Sequence, residues 1–289
     1  MVHSSALVRG HRYDFLDYNP EEHPVALQLG GSNPQELARA TQLGADYGYD
    51  EVNLNVGCPS PAVQKGQFGA CLMRDPERVG ACIAAMKAAV SIPITVKCRL
   101  GVDEQTLEDG LYRLAQTVAD AGADLLIVHA RKALLRGISP KDNRTIPPLN
   151  YQAVYELQNH LPHLPIVLNG GIDSLDKAYS AGQSLAGTMV GRAAYKTPHI
   201  LQGVDPLLFH VPPPHTSLIE IIEAFLIYCE KHVSEGLPLH HMTQHLAHAI
   251  TGTEGSRTLR GQMTTVFSSH LSPQDCIALI RTHLRTMKV

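Results

Sequence analysis

The sequence has little net charge. Its 24 Lys and Arg against 27 Asp and Glu leave a formal −3 over 289 residues, so composition alone does not announce a nucleic-acid binder. Cysteines are few, at positions 58, 71, 82, 98, 229 and 276, and they form neither a C-x-x-C pair nor a zinc-ligand spacing. That excludes the usual sequence patterns for a structural metal and for a disulfide framework, and it points to a reducing cytoplasmic setting. No apolar run approaches membrane-spanning length, and no basic-then-apolar leader opens the chain. The expectation is a soluble protein with no membrane segment and no metal. Neither a G-x-G-x-x-G fingerprint nor a Walker loop is present, which removes the commonest nucleotide-binding motifs.

What is there suits an ordinary globular protein, with 44% apolar and 18% charged residues. The length supports one large domain plus a small one. Six segments read as strands, each followed by a helix or loop. They are His23–Leu29, Glu51–Val56, Ile92–Leu100, Leu125–Val128, Pro165–Leu168 and Gly187–Val190. The intervening helices carry their own start signals: Asn33 before Pro34, Asp75 before Pro76, Asn150 and Ser174. The first twenty residues supply at most the tail of one further unit. Six or seven βα units allow an open doubly wound sheet or a TIM (β/α)8-type barrel shortened at its N-terminus.

Pro212-Pro213-Pro214 is a stiff linker, and strand patterns cease beyond it. We therefore divide the chain into a (β/α) domain over 1–211 and a small all-helical domain over 215–289. Ser217 with Glu220 forms a capping box for the first of these helices. Further helices are predicted at about 239–251, 257–267 and 273–286.

The segment Glu51-Val52-Asn53-Leu54-Asn55-Val56 alternates polar and apolar residues and ends at Gly57. Pro59 and Pro61 follow, and are expected to prevent a helix from starting there. Cys58 is thus presented just past the C-terminal end of a strand, where a barrel of this type keeps its chemistry. The other strand ends place polar or glycine residues at the same rim: Gln28, Lys97, His129, Asn169-Gly170-Gly171 and Gly191-Arg192. Glycines after the last two strands, with Arg192 beside one of them, suit a phosphate. The segment from His129 to Arg144 holds Arg131, Lys132, Arg136, Lys141 and Arg144 against one acid, Asp142. A basic loop beside the rim suits a polyanion better than a small neutral substrate.

Asn55-Val56-Gly57-Cys58-Pro59-Ser60-Pro61, followed by Lys65-Gly66-Gln67-Phe68-Gly69-Ala70-Cys71-Leu72-Met73, resembles the active-site signature of the tRNA-dihydrouridine synthases, and of their A branch in particular. The resemblance covers the chain from end to end and favours the shortened barrel, with Met1 matching a point at the end of the second strand. It implies FMN as cofactor and NADPH as reductant, with Gln28, Lys97, His129, Asn169, Gly170, Gly171, Gly191 and Arg192 around the flavin. It implies that Cys58 is the catalytic acid, and that Asn55, Lys141, Arg144, Arg257 and Arg260 contact tRNA. A monomer is expected.

The implied reaction is reduction of a tRNA uridine to 5,6-dihydrouridine, with hydride added at C6 and a proton at C5. A thiol of ordinary acidity, near pKa 8.5, is protonated at neutral pH and serves as an acid without activation. Two other readings remain: an FMN barrel oxidoreductase acting on a free pyrimidine, and a non-catalytic RNA-binding fragment. Arg257 and Arg260, three residues apart in the helical domain, and the basic loop weigh against the first. An incomplete barrel wall with an exposed edge would favour the second.

Overall fold

The computed structural model describes residues 1–10, 13–213, 217–243, 246, 260–261 and 271–286. Two units are compact by themselves: Met1–Ile172 with Ala178–Met189, and Asp173–Lys177 with Val190–Val289.

The first unit is a parallel sheet of seven strands: β1 (Val2–His3), β2 (Ala26–Gly30), β3 (Glu51–Asn55), β4 (Ile94–Arg99), β5 (Leu125–His129), β6 (Ile166–Asn169) and β7 (Gly187–Met189). They pair in chain order, each parallel to the next. A doubly wound sheet reverses its strand order part-way across. This one never does, which is the connectivity of a (β/α) barrel. The six strands read from the sequence are all present. The tail of a further unit is β1, whose two residues pair with Leu29 and Gly30.

Alternation divides the strands between two environments. Val52 and Leu54, Ile94, Val96 and Cys98, Leu126 and Val128, and Ile166 and Leu168 are fully buried. The helices that follow supply matching apolar stripes, for example Val79, Ile83 and Met86 within Pro76–Ala89. The opposite side of β2, β3 and β4 is polar. Gln28 donates to Asn53 (2.8 Å), Asn53 to Thr95 (2.8 Å), and Thr95 to Glu51. Every buried polar group in that chain has a partner, so its burial is tolerated.

Helix starts follow the expected caps. Asn33 accepts from the Glu36 amide with Pro34 in the first turn, and Asp75 and Asn150 cap Pro76–Ala89 and Tyr151–His160 in the same way. One expectation fails. Pro61 does not block a helix but begins one, Pro61–Lys65, with the Ser60 hydroxyl accepting from the Val63 amide at 3.4 Å. Proline suits a first helical position, because its missing N–H has no acceptor there.

The second unit is helical where it is described beyond residue 217. Leu218–Ser234 opens on the Ser217–Glu220 capping box and packs Ile222, Leu226 and Cys229 into a core with Leu239, Met242, Ile277, Ile280 and Leu284. Arg281 of the helix Pro273–Thr286 bridges Glu223 and Glu230, one turn pair apart on the facing helix. The helix expected near 239 is present as Leu239–Thr243. That expected at 257–267 lies outside the described residues except for 260 and 261.

Candidate active site

Ladder register brings the rim residues together. Gln28 pairs with Asn53, Asn55 with Lys97, Arg99 with His129, and His129 with Asn169. Residues two apart share a face of a strand, so Asn53 and Asn55, Thr95, Lys97 and Arg99, and His129 and Asn169 continue one polar surface around the sheet. Its contacts bear this out. Lys97 Nζ donates to Asn169 Oδ1 at 3.0 Å, and Asn169 Nδ2 donates to the Met189 carbonyl at 2.8 Å. Lys97 is half-buried and does not simply reach out to solvent. Burial pulls its pKa down to about 8, and the neighbouring Arg99 charge acts in the same direction.

Cys58 lies in the turn between β3 and the helix Pro61–Lys65, partly exposed and not in a disulfide. Asn55 Oδ1 accepts from the Gly57 amide at 3.1 Å and from the Cys58 amide at 2.9 Å, while Asn55 Nδ2 donates to Gln28 Oε1 at 2.9 Å. The Cys58 carbonyl in turn accepts from Ala70 at 2.9 Å. The thiol therefore sits on a braced turn. Gln64 adds a second brace, donating to the carbonyls of Pro59 (2.8 Å) and Leu135 (3.0 Å).

The other five thiols differ. Cys82, Cys98, Cys229 and Cys276 are buried, and burial pushes the Cys82 and Cys229 thiols up to about 11 and Cys98 to about 12. Cys71, partly exposed, donates to the Phe68 carbonyl at 3.1 Å, and burial raises its pKa as well.

Gly170 and Gly171 take φ values of 114° and 66°, in the region that L side chains avoid. A Cβ on Gly170 would stand 2.6 Å from His129 Cδ2, and one on Gly171 2.7 Å from Leu149 Cδ1. Tyr151 donates its hydroxyl to the Gly170 carbonyl. The loop is thus pressed against His129 by glycine packing and held by Tyr151, a residue the sequence reading left without a role. Gly191 and Arg192 belong to the second unit, where they begin the short helix Arg192–Lys196; both are exposed.

Two cations of the basic loop donate to backbone carbonyls. Arg131 donates to the carbonyls of Thr145 (3.0 Å) and Pro147, and Lys132 Nζ to those of Asp103 (3.4 Å) and Gln105. These contacts tie Arg131 to the segment just past the loop and Lys132 to the turn after β4, so both cations help fix where the loop lies. Arg136, Lys141 and Arg144 are exposed and remain the surface charges of the segment. Arg260 is half-buried in the second unit, and Arg257 lies outside the described residues. Among the described residues no group of three His, Cys, Asp or Glu is placed to hold a metal ion, and no helix is long and apolar enough to cross a membrane.

A parallel barrel with a braced, partly exposed thiol past β3 and a lysine in register with Asn55 defines the class as a (β/α)-barrel protein with its site at the strand C-termini. The chain matches the family described as dihydrouridine synthase (Dus) over residues 1–283, and it belongs to that family. It is 52% identical over 260 residues to a tRNA-dihydrouridine(20/20a) synthase of Shewanella oneidensis, covering 90% of this chain and 77% of that one. The protein of the same name from Vibrio cholerae is 48% identical over 261 residues, covering 90% and 80% of the two chains. That from Synechocystis sp. is 43% identical over 288 residues, covering 100% and 85%.

Proposed function

We propose that this protein reduces a uridine of tRNA to 5,6-dihydrouridine, with FMN as its redox group and NADPH as reductant. The observation that carries the reading is Cys58, partly exposed and held by Asn55 on a rim shared with Lys97, His129 and Asn169. Family membership supports the same chemistry.

The residues fit a flavin. Lys97 has a neutral amide as its hydrogen-bond partner and no carboxylate within ion-pair distance among the described residues, so its charge is available to an anionic ring. Gln28, His129 and Asn169 offer polar edges on the same surface. Gly170 and Gly171 leave a side-chain-free backbone of positive φ beside His129, which suits close approach by a phosphate. Gly191 and Arg192 are assigned to that phosphate on their sequence pattern.

Bound flavin would supply the hydride for uracil C6. Cys58 gives its thiol proton to C5, and Asn55 keeps the Cys58 backbone directed while it does so. A base within folded RNA has to leave its stack to reach a rim thiol. Lys141, Arg144, Arg257 and Arg260 would hold the RNA through its phosphates and shape rather than its sequence.

The test is turnover of an unmodified tRNA transcript with FMN and NADPH, with dihydrouridine detected by mass spectrometry. Cys58→Ala should lose roughly 10²–10⁴-fold in rate, the usual contribution of a positioned acid, while still retaining flavin. Turnover of free uracil with none of tRNA would transfer the site to a small-molecule oxidoreductase.

A further inference from the structure

Arg99 ends β4 with a side chain only 3% exposed. Its Nε donates to the Gly57 carbonyl at 3.0 Å, and its Nη1 to the carbonyls of Lys132 (3.1 Å) and Asn143 (2.8 Å). No carboxylate lies within ion-pair distance of it among the described residues. A buried guanidinium usually sits with an acid, because an unpaired charge in the interior is costly. Here three carbonyls from two loops do the solvating, and the charge itself stays uncompensated.

The groups around it are few. Cys58 follows the Gly57 carbonyl, Lys97 stands two residues back on the same face of β4, and His129 is its register partner on β5. Arg131, Lys132 and Arg144 come from the basic loop. Asp103, just beyond β4, accepts from Arg74 and from the Leu135 amide. Burial pulls the Arg99 pKa down to about 10; the Cys58 thiolate opposes that, while Arg144 and Arg131 add to it.

Asn55 and Arg99 together clamp one peptide group. Asn55 accepts from the Gly57 N–H, and Arg99 donates to the Gly57 C=O. A planar fork can also reach the second loop from the same position, which a lysine cannot do. We propose that Arg99 is a positioning residue for Cys58: it fixes the turn that carries the thiol, ties that turn to the RNA-binding loop, and holds a guanidinium against the Gly57–Cys58 peptide.

This inference rests on the reading of Cys58 as proton donor. In that step the S–H bond breaks and a C5–H bond forms, while a bound reduced flavin would supply the hydride for C6. The sulfur keeps the electron pair as a thiolate until solvent returns a proton.

The experiment compares wild type with Arg99→Lys and Arg99→Met as flavin-loaded proteins, after thermal melts establish folding. Two quantities are read: the kcat and KM for tRNA, and the rate of Cys58 alkylation by iodoacetamide at a single pH, located by peptide mass spectrometry. Both variants lose the fork, so kcat should fall at least about tenfold in each while KM for tRNA changes much less, and Cys58 alkylation should quicken as the turn loosens. A loosened RNA loop alone would raise KM and leave kcat and the alkylation rate at wild-type values, and that result would overturn the proposal. Wild-type kcat in Arg99→Lys would overturn it equally, and this arm decides if Arg99→Met does not fold. Should Cys58→Ala prove active, the reading of the site fails instead, and the alkylation rate still reports on Arg99.

Discussion

Asn55 Oδ1 accepts hydrogen bonds from the backbone amides of both Gly57 and Cys58, at 3.1 and 2.9 Å. The side chain expected to meet RNA thus has its oxygen turned inward onto the Cys58 turn, with one amide hydrogen committed to Gln28. Asn55→Ala should leave two backbone donors without this acceptor and let the thiol wander. Misplacement of about an ångström at a reacting centre can cost about 10²-fold in rate. We expect kcat for tRNA to fall by about that factor, with a much smaller change in tRNA affinity. A variant that lost affinity and kept kcat would make Asn55 an RNA contact alone.

Lys97 makes the protein's stability depend on pH in a known direction. Burial holds its pKa in the folded state near 8, below the 10.5 of a free lysine. The unfolded chain therefore binds the proton more tightly, and this residue's contribution to stability rises as pH climbs from about 8 toward 10.5. Below about 8 the folded protein carries the charge at a burial penalty. Without flavin, Lys97→Met should match or exceed wild type in urea midpoint near pH 7, and the difference should shrink as the pH is raised toward about 9.5. A constant difference across that range would mean that burial of the charge is not the cause.

The alternation of Val52, Leu54 and Val56 with Asn53 and Asn55 was readable because a strand with one polar face has a period of two. The same holds for Thr95, Lys97 and Arg99 against Ile94, Val96 and Cys98. Read further, that pattern would have singled out Arg99, since it shares the face of Lys97. Its acceptors could not have been read, because Gly57, Lys132 and Asn143 lie 33 to 44 residues away in the chain. The same reason hid the carbonyl partners of Arg131 and Lys132. Pro61 misled for a different reason: a five-residue helix is too short to show a period, and only its Ser60 cap signals it. β1, with two residues, shows no period at all.

Gly170 offers a test of the glycine loop. Alanine there would adopt φ 114° and push a Cβ to 2.6 Å from His129 Cδ2. Backbone strain of that kind costs about 1–3 kcal/mol, and His129 has to shift as well. Gly170→Ala should lower stability by about that amount and release flavin. Gly137, with φ 83° and nothing within 4 Å of its missing Cβ, is the control. Gly137→Ala carries strain without displacing His129 and should keep its flavin. Equal flavin loss in both variants would mean that His129 and the Gly170 loop do not line the flavin site.

Lys141 and Arg144 distinguish an RNA substrate from a small one. Both are exposed on the segment whose inner cations, Arg131 and Lys132, are bound to carbonyls. Neutralising the inner pair would confuse lost shape with lost charge; Arg144 Nε also donates to a loop carbonyl, that of Pro140 at 3.1 Å, so the more exposed outer pair is read beside its thermal midpoint. Each phosphate contact releases condensed counterions, and its loss lowers the slope of log affinity against log salt by about 0.7–0.9. Lys141→Gln with Arg144→Gln should therefore weaken tRNA binding at low salt and flatten its salt dependence by up to about 1.4–1.8 in that slope. The measurement is tRNA affinity across a salt series, with flavin content and thermal midpoint recorded for both proteins. Parallel slopes in two equally stable, equally flavinated proteins would show that this loop does not touch the phosphates. The small-molecule reading of the Cys58 site would then lead.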